Sequence, residues 1–192
     1  MSILEVRKLS ALLKNESRKG TIQEADYWPK LWNDYIGEKS CEYALLDNAE
    51  VLGKMISEQN YRERAKLYSC SELGIEIKIG DICFIDFGEA YINESGYQHF
   101  GIVMSIMNGK ALVIPMSSNY HTYKQALSED NPLGKAHLMQ IGLIKGLVKK
   151  SVLFLNDAKF INTARMIEVK AHINEEDEIF KEIKLRFKNC ID

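Results

Sequence analysis

Apolar positions along the chain follow two different periods. Through residue 73 they recur at helical spacing. Leu4, Leu9, Leu12 and Leu13 line one face, with Arg7, Lys8, Lys14 and Arg18 elsewhere. Gly20 ends that helix, and Thr21 with Glu24 three residues on predicts a capping box for the next. Tyr27, Trp28, Leu31, Trp32 and Tyr35 gather around Pro29 as a helix core or an interface. The run from Ala44 to Lys66 carries Leu45, Leu46, Val51, Leu52, Met55 and Ile56 on a further amphipathic helix. Near Gly80 the period shortens. Ile75-Glu-Ile-Lys-Ile79 alternates, and Gly80-Asp81 leads into Ile82-Cys-Phe-Ile-Asp-Phe87, rich in β-branched and aromatic residues. Gly101–Met107 and Lys110–Met116 flank Asn108-Gly109. Both turn residues tolerate positive φ, so the pair predicts a β-hairpin. Ser151–Leu155 is another strand. Asn174 and the acidic stretch that follows start a terminal helix through Ile179, Phe180, Ile183, Leu185 and Phe187, with its basic residues biased late, as the helix dipole favours.

Short strands joined by turns, without regular helices between them, indicate a small antiparallel barrel or sandwich. The expected class is therefore α+β: a helical N-terminal extension over residues 1–73, then a barrel domain with a C-terminal helix over residues 74–192. A chain of 192 residues is long enough to bury a core without disulfide or metal staples. Its 25 Lys+Arg against 27 Asp+Glu give a net charge of −2, which excludes a protein that coats nucleic acid and confines any such site to a local patch. No apolar run approaches the ~18–20 residues that span a bilayer, and charges interrupt the apolar residues of the first heptad, so neither a membrane span nor a signal-peptide core is expected. Cys41, Cys70, Cys83 and Cys190 are scattered without a CxxC pair. They are expected to be reduced thiols in a cytoplasmic protein, with no metal site and no cofactor.

Candidate chemistry collects in two segments. The first is the polar loop Asp86 to Gly101, which holds Glu94, Gln98 and His99; loops on a rigid sheet are where binding and catalytic groups concentrate. The second is Pro115-Met-Ser-Ser-Asn-Tyr120, at the end of the strand paired with the one that follows His99. Counting outward from the turn puts His99 and Ser117 at the same end of the hairpin, one register step apart. An imidazole titrates near neutrality and can act as acid or base, and a hydroxyl can donate to charge developing on a phosphoryl oxygen. Metal-free RNA cleavage needs those two functions. Glu94 is a second proton carrier, Gln98, Ser118 and Asn119 are RNA-binding candidates, and Lys110 and Lys124 are candidate phosphate contacts. Plainer roles stand beside these. Serines at strand ends satisfy turns, tyrosines 97, 120 and 123 could stack on unpaired bases although barrel tyrosines usually pack, and Lys145, Lys149 and Lys150 with Lys159 form either a phosphate-tracking patch or, more simply, a solvated face. His137 suits a structural place, His121 and His172 the surface, and Arg165 a clamp on carbonyls or carboxylates.

Residues about 76–173 resemble the MazF/PemK/Kid family of toxin ribonucleases, small SH3-like barrels. Three stretches carry the resemblance, in the family's order: Gly80-Asp-Ile-Cys-Phe-Ile-Asp-Phe87, the loop Glu94-Ser-Gly-Tyr-Gln-His-Phe-Gly-Ile-Val-Met-Ser105, and Ser151-Val-Leu-Phe-Leu155 continuing to Arg165. The phrase from Phe100 to Ser118 is also similar to the ToxN group of the same fold, whose antitoxin is RNA and whose active strand ends in Thr-Ser. The resemblance puts the family's loop glutamate at Glu94, its catalytic arginine at His99 and its strand-end threonine at Ser117. The family's Arg-Pro is replaced by His99-Phe100. It implies an endoribonuclease of toxin–antitoxin type cutting single-stranded RNA by attack of the 2′-OH, a homodimer, and a protein or RNA antitoxin. The alternatives are an inactive SH3-like barrel that binds RNA or a partner peptide, and a toxin masked in cis by its own N-terminal helices.

Overall fold

The computed structural model describes residues 5–15, 21–22 and 25–190. Internal contacts divide the chain into two compact units, Met1–Leu52 and Gly53–Asp192. The stop at Gly20 and the partner Glu24 of the expected capping box lie outside the described residues, as do Leu4 and Arg18.

In the first unit, α1 (Val6–Asn15) precedes α2 (Trp28–Leu45), which has its proline in the first turn, where a missing N–H costs nothing. The aromatic cluster is present as a ladder along α2. Trp28 and Trp32 stack at 5.2 Å, Trp32 and Tyr35 at 5.8 Å, and the Lys39 ammonium lies 5.5 Å from the Tyr43 ring. No residue of α2 is buried, so these rings cover one another instead of filling a core. The expected continuous run from Ala44 is broken at Leu46-Asp47, and α3 spans Asn48–Arg64. A reciprocal cap sets that break: Glu50 N–H donates to Asp47 Oδ1 (2.9 Å) and Asp47 N–H to Glu50 Oε2 (3.3 Å).

In the second unit, the last turns of α3 lead to a short 3-10 turn at Cys70–Leu73, closed by Gly74 in the left-handed region. Ile75, Ile77 and Ile79 alternate as expected, but the segment is not a strand. It packs as an extended cover on the sheet. The strands are β1 (Asp81–Asp86), β2 (Gln98–Met107), β3 (Lys110–Ser117), β4 (Leu138–Gly142), β5 (Ser151–Phe154), β6 (Lys159–Asn162) and β7 (Met166–His172). A short helix α4 (Tyr120–Gln125) follows β3, and α5 (Glu178–Lys188) ends the fold with Asp177, not Asn174, at its cap. All pairings are antiparallel, in the order β4-β5-β3-β2-β1-β7, with β6 also on β3. The α+β class and the antiparallel sheet stand as expected. The sheet is not closed, because its outer strands β4 and β7 do not pair with each other among the described residues.

β3 is the pivot. Lys110–Val113 pair with β6 on one edge, and Met116–Ser117 pair with β5 on that same edge. The change of partner falls at Ile114-Pro115, where proline has no N–H to offer a ladder. Alternation then sorts the side chains into two cores. Ile82, Ile102, Ile114, Met139, Leu153 and Leu155 face one way and are covered by Phe180 and Ile183 of α5. Cys83, Ile85, Val103, Val113 and Met166 face the other way, under Cys70, Ile75 and Ile77. The hairpin turn requires glycine at 109. Its φ is +74°, and a Cβ there would lie 2.6 Å from Tyr68 O. His172 is not a surface bystander: its Nδ1 meets the buried carboxylate of Asp81 at 2.8 Å.

Candidate functional site

The site lies where β2 begins and β3 ends. A regular ladder counted from Asn108-Gly109 would set His99 opposite Ser118. β2 instead carries a bulge: Ser105 pairs with Leu112 and Val103 with Val113, leaving Met104 as the extra residue. Beyond it the pairs run through Gly101↔Pro115 to Phe100↔Met116, and one step further His99 comes level with Ser117. Directly opposed residues of an antiparallel pair share a face, with Cβ atoms ~4.5–5.5 Å apart. β1 supports His99 from its other side, Ile85 being its partner, and β5 supports Ser117 through Val152.

Hydrogen bonds orient both groups. His99 is exposed, and its Nδ1 lies 2.6 Å from Gly96 O. A carbonyl only accepts, so Nδ1 carries the proton, and in the neutral ring Nε2 is the acceptor. Ser117 Oγ accepts the N–H of Asn119 at 3.1 Å, a bond that does not use the hydroxyl proton. Asn119 caps α4, its Oδ1 accepting from His121 N–H and Thr122 N–H. Ser118 lies exposed between the two.

Other candidates fall elsewhere. Gln98 alternates to the opposite face from His99. Its amide donates to Ser57 Oγ (2.8 Å), Asp86 Oδ1 (3.2 Å) and Gly53 O (3.3 Å). Glu94 is exposed and closes its own turn, its carboxylate accepting Tyr91 N–H at 3.3 Å, and among the hydrogen bonds of the described residues none joins it to His99 or Ser117. Lys110 begins β3 and Ser117 ends it, so roughly 23 Å of strand separates them at ~3.3 Å per residue. Lys124 lies on α4, its ammonium 5.8 Å from the Tyr120 ring.

The structure places two groups near the site that the sequence named only as a strand residue, Phe87, and as one of a set of lysines, Lys159. A Cβ on Gly101 would lie 3.4 Å from Phe87 Cζ, so the Phe87 ring covers the strand two residues from His99. Lys159 holds its ammonium 5.5 Å from that ring and 2.9 Å from Asp157 Oδ1, and Asp157 Oδ2 accepts Ser95 N–H at 2.7 Å. A cation is thus anchored beside the loop that leads into His99. The spacing Asp157-Ala-Lys159 directly after an apolar strand was the available sign. Arg165 is the expected clamp, its Nη1 donating to Asp86 O at 3.1 Å. Beneath the site, burial first and then the charge of Asp81 and the neighbouring Cys70 push the Cys83 thiol up to about 12, so it is no nucleophile. No group of three or more His, Cys, Asp or Glu residues is placed to hold a metal ion among the described residues.

The sequence matches no family model and no curated protein. Among solved structures, the chain is similar to MazF from Deinococcus radiodurans, with a TM-score of 0.46 and 14% identity over 61% of this chain and 97% of that one. It is also similar to the MazE–MazF structure of the same organism, at TM-score 0.40 and 14% identity over 60% and 95% of the two chains. A third is the Mycobacterium tuberculosis toxin MazF-mt6, at TM-score 0.38 and 12% identity over 56% and 96%.

Proposed function

We propose that the chain is a metal-independent endoribonuclease of toxin–antitoxin type acting on single-stranded RNA. What supports this is the register of β2 and β3, whose outermost pair, Phe100↔Met116, brings His99 and Ser117 level one position further on, together with the hold of Gly96 O on His99 Nδ1. The Nε2 lone pair accepts the proton of a ribose 2′-OH as that oxygen attacks the neighbouring phosphorus. The ring, now charged, returns a proton to the departing 5′-oxygen, and the products are a 2′,3′-cyclic phosphate and a free 5′-hydroxyl. The Ser117 hydroxyl donates to a non-bridging oxygen as charge builds on it. The motif resemblance around Gly80–Phe87 and Glu94–Ser105 supports the same chemistry. It also brings the expectations of a homodimer and of an antitoxin that blocks the RNA.

The test is digestion of single-stranded RNA in EDTA. Wild type is expected to cleave, His99→Ala to lose about 10²–10⁴-fold and Ser117→Ala about 10²–10³-fold in rate. Cleavage that survives both substitutions removes the site assignment. A gel shift without cleavage points to the inactive RNA-binding barrel.

A further inference from the structure

On the face of the sheet opposite His99, a buried carboxylate collects donors from three separate stretches of chain. Asp86, the last residue of β1, accepts Ser57 Oγ–H at 2.6 Å and Asn60 Nδ2–H at 3.0 Å, both from α3. It also accepts Gly88 N–H at 3.1 Å and Gln98 Nε2–H at 3.2 Å. These last two residues bracket the β1–β2 loop, so a single carboxylate ties both ends of the loop to one helix. Further contacts follow the same line. Lys54 of α3 pairs with Glu89 at 2.9 Å, and the Tyr97 ring packs at van der Waals distance from Gly53. The loop so held is strained. Gly88, Asn93 and Tyr97 all have positive φ, and +52° at Tyr97 is a conformation that a bulky residue adopts only where its surroundings impose it. The next residue back, Gly96, admits no side chain, since a Cβ would lie 2.8 Å from Ala90 Cβ. Its carbonyl is the group that holds His99 Nδ1.

We propose that Ser57, Asn60 and Gln98 act through Asp86 as positioning residues, holding the β1–β2 loop so that the Gly96 carbonyl keeps His99 in the Nδ1–H tautomer. The role assigned to that tautomer rests on the function proposed above, whereas the positioning itself does not. Charge-assisted bonds to a buried carboxylate are the strong kind, and removing one donor leaves that carboxylate under-satisfied. Ser57→Ala and Asp86→Asn are therefore expected to loosen the loop while the sheet stays folded.

The experiment uses the full chain. Amide exchange of residues 88–97 is expected to quicken roughly tenfold or more in Ser57→Ala and Asp86→Asn. Long-range ¹H–¹⁵N spectra at about pH 8, above the ordinary imidazole range, report the His99 ring. Wild type is expected to show protonated Nδ1 alone, and the variants a mixture of tautomers. In RNA cleavage, kcat should fall about tenfold with KM within about twofold, as expected for lost orientation. Folded variants with unchanged loop exchange and a single tautomer overturn the proposal, as does a wild type protonated on Nε2. Should Asp86→Asn not fold, Ser57→Ala carries the test alone. A wild type that cuts no RNA ends the proposed function, while exchange and tautomer still decide the positioning.

Discussion

Cys83 shows what burial, with charged neighbours added, does to a titratable side chain. It has no exposed surface, and burial, the Asp81 charge and Cys70 push its thiol up from 9.0 to about 12. A raised acid pKa means that the folded state holds the proton more tightly than the unfolded chain. The stabilisation is therefore fully present below about pH 9 and is lost as pH rises from there toward 12. Three pH units correspond to about 4 kcal/mol at the upper limit. Denaturant titrations between pH 8 and 11 should show wild type losing stability more steeply than Cys83→Ala, and parallel slopes would contradict that origin. Near neutrality, a thiol reagent should label the exposed Cys41 and Cys190 and spare Cys70 and Cys83. The scatter of cysteines in the sequence shows that no CxxC site exists. It does not show which thiols are sealed, because sealing is decided by strands brought together from distant positions.

At the scale of elements, the hairpin was legible and its offset was not. Asn108-Gly109 between two apolar runs fixes the partner strands, and counting outward brings residue 99 within one step of 117. The bulge at Met104 makes up that step, yet Val103-Met-Ser105 contains no glycine or proline to announce it. Strands β1, β2, β3 and β5 and the helix α5 were visible because each carries enough apolar residues in register with its period. β6 and β7 were not. They are separated by only the 3-10 turn at Thr163–Arg165, and β7 exposes Glu168, Val169 and Lys170 in a row, which erases its alternation. Gln98 was visible as a polar loop residue, but its ties to Asp86 and Ser57 span from 12 to 41 residues of sequence and leave no local pattern. The register gives a sharp test. Ser117→Ala should reduce RNA cleavage at least tenfold more than Ser118→Ala, since Ser117 donates at the phosphoryl oxygen in the proposed mechanism. The reverse order would mean that the ladder runs without its extra residue.

For the whole molecule, the distribution of burial matters most. Among the described residues, every buried one lies at Ser57 or beyond, inside the unit Gly53–Asp192. Both cores and the helix α5 that covers one of them belong to that unit. Removing residues 1–52 is therefore expected to leave a cooperatively folding protein, its Tm lowered by no more than a few degrees. A truncated protein that fails to fold would show that the first helices supply core contacts after all. Among the described residues no helix is long and apolar enough to cross a membrane.

Two serines in succession give this hairpin a built-in spare. The inserted methionine lies several residues back along the strand, so the choice of which hydroxyl meets the imidazole is made at a distance by a change in count. Were the insertion ironed out without loss of a residue, Ser118 would take over the place that Ser117 now holds. The side-chain chemistry on offer would be unchanged. The slip would nonetheless turn Ile102 and Val103 into each other's core, so the packing on both faces of the sheet is what keeps Ser117 in place.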